Sequence, residues 1–85
     1  MRYDLNDSRS AIRTVQAYLL ELYYAYEWAD AIAIDGVYDE RTRNAVLTVQ
    51  ERYGLEATGI VDRATHRLLY DKYLTAIEIN RTNNR

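Results

Sequence analysis

The chain has 85 residues, of which 48% are apolar; it carries no cysteine and a formal net charge of −2. That length fills one hydrophobic core rather than two, and that apolar share excludes a disordered chain. Without cysteine there are no disulfides and no thiolate metal sites, and the slight acidity argues against a general nucleic-acid binder, which would be strongly basic. Residues 1–7 are polar and read as an N-terminal arm without an apolar signal segment. Ser8, or alternatively Asp7, is placed to cap a first helix. Ile12, Val15, Leu19, Leu22 and Tyr26 follow three- and four-residue spacing, which predicts one buried face. The helix is expected to end near Ala25.

Ile32-Ala33-Ile34-Asp35-Gly36 reads as extended and then turning, because Asp-Gly is a strong turn signal. Asp39 is placed to cap a second helix, and Thr42, three residues on, to answer it as in a capping box. Ala45, Val46, Val49 and Tyr53 form the expected inward face, and Gly54 the C-terminal cap. Asp62 and Thr65 repeat the cap and start a third helix, with Leu68, Leu69, Tyr73 and Ile77 inward. From Asn80 the composition turns to Asn, Arg and Thr, so residues 80–85 read as a flexible tail and residues 8–79 as the domain.

Two echoes run through this pattern. Asp35-Gly36-Val37-Tyr38-Asp39-Glu40-Arg41-Thr42 recurs 23 residues later as Thr58-Gly59-Ile60-Val61-Asp62-Arg63-Ala64-Thr65. Ala11-Ile12-Arg13-Thr14-Val15-Gln16 recurs 34 residues later as Ala45-Val46-Leu47-Thr48-Val49-Gln50. Each glycine permits a tight bend, each apolar pair anchors its loop, and each Asp launches a helix. Gln16 and Gln50 hold equivalent positions after an inward Val, where an amide can bond loop backbone groups that would otherwise be buried unpaired. Asp35, Gly36, Asp39, Thr42, Gly59, Asp62, Thr65, Gln16 and Gln50 are therefore read as loop and cap residues. The expected fold is all-α, a small three-helix bundle with Gly-Asp loops before helices two and three.

Those same residues carry a family resemblance. Asp35-Gly36-Val37-Tyr38, Thr42, Ala45-Val46, Val49-Gln50, Gly54-Leu55, Thr58-Gly59-Ile60-Val61-Asp62, Thr65 and Leu68-Leu69 resemble the peptidoglycan-binding domain family, as does the upstream Val15-Gln16 and Leu19. The resemblance covers roughly residues 8 to 75. Thr58 stands where the family has Asp, Asp39 where it has Gly, Val49 where it has an aromatic and His66 where it often has Trp. The family implies a three-helix, non-catalytic module that holds bacterial cell-wall hydrolases on peptidoglycan, through glycan, stem peptide or both. It implies a location at the cell wall or outside the cell for an exported protein; a cytoplasmic or phage-particle location stays open.

The residues offer little for catalysis. His66 is the only histidine and has no metal-ligand spacing, and the glycines follow no phosphate-cradle pattern. No catalytic residue, metal or cofactor is expected, and no membrane span. Arg63, Arg67 and Lys72 are spaced to share part of a face of helix three, a solvated face able to meet an acidic peptide stem. The recognition candidates are Tyr24, Tyr26, Trp28 and Asp30. Four aromatics, Tyr23 included, fall within six residues there. Such rings stack on sugars, anchor protein contacts or close a core. The leading expectation is non-catalytic peptidoglycan binding that tethers a larger protein or assembly. The alternative is a protein–protein interaction module, self-association included, of a phage-like or cell-envelope assembly.

Overall fold

A computed structural model describes residues 9–83. The expected arm at 1–7, the cap at Ser8 or Asp7 and residues 84–85 lie outside the described residues. Three helices follow in order: α1 (Arg9–Ala25), α2 (Glu40–Arg52) and α3 (Arg63–Asn83), with no strand among the described residues. The chain spans 36 × 27 × 23 Å.

α1 forms because its apolar residues recur on one face: Ile12, Val15, Leu19 and Leu22 are buried. Its last turn closes with the Tyr26 N–H donating to the Leu22 carbonyl at 2.8 Å. In the connection that follows, Ile32 turns inward while Ile34 stays 45% exposed. The backbone at Asp39 is extended (φ −94°, ψ −172°), and its carboxylate accepts the Thr42 N–H at 3.0 Å, starting α2. α2 ends in a Schellman motif. The Leu55 N–H reaches the Gln50 carbonyl at 2.8 Å and the Gly54 N–H the Glu51 carbonyl at 3.4 Å, with Gly54 at φ +78°. Asp62 then accepts the Thr65 N–H at 2.9 Å and launches α3.

The core gathers Val15, Leu19 and Leu22 of α1, Ala45, Val46 and Val49 of α2, Ile32 and Val61 of the loops, and Leu69 and Ala76 of α3. α3 lies chiefly along α1. Its buried line is Thr65, Leu69 and Ala76; Leu68, Tyr73 and Ile77, expected inward, are half-buried.

The tail expected from Asn80 is corrected. α3 continues to Asn83, because the Asn80 amide nitrogen donates to the Glu21 carbonyl at 3.1 Å and to Glu21 Oε1 at 2.7 Å. Polar composition suggested fraying, but this clip to α1 supplies partners that composition does not reveal.

Candidate functional site

Two glutamines hold both loops in one geometry. Gln16 Oε1 accepts the N–H groups of Asp35 (3.1 Å) and Gly36 (2.9 Å). Its Nε2 donates to Asp35 Oδ1 (3.1 Å), the Val37 carbonyl (3.0 Å) and Thr42 Oγ1 (3.0 Å). Gln50 repeats the set: Oε1 accepts from Thr58 N–H (3.0 Å) and Gly59 N–H (2.9 Å). Its Nε2 donates to Thr58 Oγ1 (3.3 Å), the Ile60 carbonyl (3.1 Å) and Thr65 Oγ1 (3.0 Å). Both amides are buried, so these bonds satisfy groups that would otherwise be costly to enclose. Asp35 Oδ1 accepts the Val37 N–H at 3.0 Å, and Thr58 Oγ1 accepts the Ile60 N–H at 3.1 Å. Thr58 thus does with a hydroxyl what Asp35 does with a carboxylate. Tyr38 ties the loops together, its hydroxyl donating to the Gly59 carbonyl at 2.6 Å.

These bonds set the ionisation of the loop acids. The Val37 N–H and the Gln16 amide hold the Asp35 carboxyl below its ordinary value, and the Thr65 N–H and hydroxyl do so for Asp62. A carboxyl that is more acidic folded than unfolded stabilises the fold above its ordinary pKa of 3.8, and that contribution is lost as pH falls below it. Asp62→Asn keeps a capping oxygen and removes the titration. The drop in melting temperature between pH 7 and pH 3 is therefore expected to be smaller in this variant than in the wild type, as read by circular dichroism. An unchanged drop would show that Asp62 is not part of the acid limb. Burial pushes the His66 imidazole down from 6.5, favouring its neutral form.

The four recognition candidates do not converge. Tyr24 is 53% exposed on the last turn of α1, beside Tyr23 at 5.5 Å between rings. Tyr26 stacks on Trp28 at 5.4 Å and 19°, and both pack against the core. The Trp28 ring also takes the Arg52 guanidinium at 4.8 Å and the edge of Tyr53 at 5.8 Å. Trp28 is therefore already engaged inside the molecule, closing one end of the core. Asp30 lies apart from the rings: its Oδ2 accepts the Thr48 hydroxyl at 2.9 Å.

Asp30 and Ala31 line a polar cleft of about 580 Å³ together with Glu40, Arg41 and Asn44 of α2. The cleft brings two carboxylates, a guanidinium and an amide to one surface, a donor and acceptor set suited to hydroxyl-rich ligands. Glu40, Arg41 and Asn44 escaped the sequence reading. Their only signal is that they occupy the outward side of the first two turns of α2, which many solvated residues share. Among the described residues no group of three His, Cys, Asp or Glu is placed to hold a metal ion. No helix among them is long and apolar enough to cross a membrane.

A family model described as "Putative peptidoglycan binding domain" matches residues 8–69. No curated protein and no solved structure gives a match. The matched span takes in α1, both glutamine-held loops, α2, the polar cleft and the first two turns of α3. The loop bonds occupy the motif positions that carry the resemblance, and three helices in this order form its architecture; the chain belongs to the peptidoglycan-binding domain family.

Proposed function

We propose that this domain binds bacterial peptidoglycan without catalysing its cleavage, and tethers a larger protein or assembly to the wall. The observation that carries the reading is the family match across the whole unit that presents the Asp30–Asn44 cleft. Carboxylate and amide groups there would bond sugar hydroxyls and peptide amides, and Tyr24, exposed on α1 outside the cleft, is a ring able to stack on a sugar face. A shallow cleft of this kind yields weak affinity per module. Retention then comes from linkage to other modules, through effective concentration.

Sedimentation with purified insoluble sacculi tests the reading. Wild type is expected to co-sediment, and Asp30→Ala and Asn44→Ala are each expected to weaken retention about three- to tenfold, the worth of one or two solvent-exposed hydrogen bonds. Absence of wild-type retention sinks the reading. Full retention by both variants moves the site elsewhere. Trp28→Ala is a poor probe, because losing its contacts with Tyr26, Arg52 and Tyr53 loosens the core itself.

The exposed Tyr23–Tyr24 pair favours a second reading, a protein-interaction module. Light scattering separates the two: a species larger than the monomer, lost in Tyr23→Ser/Tyr24→Ser, with no sacculus retention, supports the second.

A further inference from the structure

The sequence groups Arg63, Arg67 and Lys72, and the structure divides them. Lys72 Nζ sits 4.6 Å from the Tyr53 ring centroid. Arg63 and Arg67 instead line a cleft of about 360 Å³ with His66 and Tyr70, at positions i, i+3, i+4 and i+7 of one α3 face. No carboxylate lines that cleft, and neither arginine makes an ion pair among the described residues. Its wall is aromatic and braced: Tyr18 lies 5.8 Å from His66, 5.9 Å from Tyr70 and 4.5 Å from Tyr73, ring to ring. Tyr70 remains 47% exposed.

The repeat register explains why this concavity is open. In the first unit, a Cβ placed on Gly36 would meet Arg9 Cγ at 2.5 Å and Arg13 Nε at 3.4 Å; in the second, one on Gly59 would meet Arg43 Nε at 2.8 Å. The glycine turn of each unit thus rests on basic side chains of the preceding helix. Carried through the 34- and 23-residue echoes, Arg9 corresponds to Arg43 and then His66, and Arg13 to Leu47 and then Tyr70. Among the described residues no glycine turn beyond Gly59 rests on this third seat.

We propose that this third seat is a binding site for a free carboxylate of a peptidoglycan stem peptide, gripped by the Arg63 and Arg67 guanidiniums with the apolar stem of the peptide against Tyr70. The proposal rests on the peptidoglycan reading above, because peptidoglycan's glycan is largely neutral and its negative charge is carried by the peptides. Guanidinium forks match a carboxylate in a bidentate way, and the two heads lie one helical turn apart, so one or two carboxylates can be met. An amide or hydroxyl ligand could accept their hydrogen bonds but would not pair their charge.

The test uses the full chain and four probes: untreated sacculi, sacculi freed of phosphodiester polymers by acid, the phosphate-freed sacculi with carboxyls amidated by carbodiimide, and a soluble disaccharide-peptide with free carboxyls. Wild type is expected to bind untreated and phosphate-freed sacculi equally, and to lose about tenfold on amidated ones, the worth of a charge-assisted hydrogen bond. Arg63→Gln/Arg67→Gln, with helicity verified by circular dichroism, should bind all three sacculus preparations at the amidated level. The soluble probe should shift the amide resonances of residues 63–70 in wild type and not in the variant. Equal binding of free and amidated sacculi overturns the proposal while leaving the peptidoglycan reading intact. Binding lost on phosphate removal also overturns it, assigning the arginines to a phosphate polymer. No binding to any sacculi removes both.

Discussion

Gln50→Ala is expected to remove a large share of the domain's stability. The substitution orphans the N–H groups of Thr58 and Gly59 and takes one partner each from the Ile60 carbonyl and the hydroxyls of Thr58 and Thr65, which keep others. Each buried group left unpaired costs about 1–3 kcal/mol, and water entering the gap recovers part of it, so a net loss of about 2–4 kcal/mol follows. A small domain holds only about 5–15 kcal/mol in total. Gln50→Glu should also be severe, because a carboxylate accepts from the two N–H groups but cannot donate to the Ile60 carbonyl or the Thr65 hydroxyl. Urea unfolding measures both. A loss below about 1 kcal/mol for Gln50→Ala would show that the loop finds other partners, and the account of the loops would fall.

The second large effect separates two glycines with the same backbone. Gly54 and Gly59 sit at φ +78° and +76°, where a side chain costs about 1–2 kcal/mol. A Cβ at Gly54 meets nothing within 4 Å, whereas at Gly59 it meets Arg43 at Nε (2.8 Å), Cγ (2.9 Å) and Cζ (3.1 Å). Gly54→Ala is therefore expected to cost about 1 kcal/mol, and Gly59→Ala about 2–3 kcal/mol because the Arg43 stem must also leave its place. At about 4–8 °C per kcal/mol for a domain of this size, thermal melts resolve the two. The double variant Gly59→Ala/Arg43→Ala should recover the steric part and leave the backbone part. Equal losses at Gly54 and Gly59 would mean that the Arg43 contact carries no energy.

Both results concern residues that the sequence singles out, for a physical reason. Capping, turn chemistry and helix period act over three or four residues, so Asp39 with Thr42, Asp62 with Thr65, and Ile12 through Leu22 are visible in the chain itself. The paired echoes also point to Gln16 and Gln50, because an amide repeated at the same distance from a glycine turn needs a shared partner. Even Thr58 is intelligible beside Asp35: either side chain can accept the N–H two residues on. The aromatic run from Tyr23 to Trp28 is different. Composition marks it as unusual but does not say that Arg52 and Tyr53, more than twenty residues away, take the Trp28 ring. The Asn80 clip to Glu21 spans 59 residues and has no local signal at all.

From its own residues the chain determines three helices and two glycine turns, since each is a short-range bargain between neighbouring groups, and the repeated motif marks the amides that hold the turns from 8 to 26 residues away. Tertiary structure alone decided which rings are engaged internally, that α3 runs on to Asn83, and that concave surface opens at Asp30–Asn44 and at Arg63–Tyr70. A cleft depends on which side chains rest on neighbouring elements and which are left to solvent, and that is set by the packing of the whole core rather than by any local run of residues.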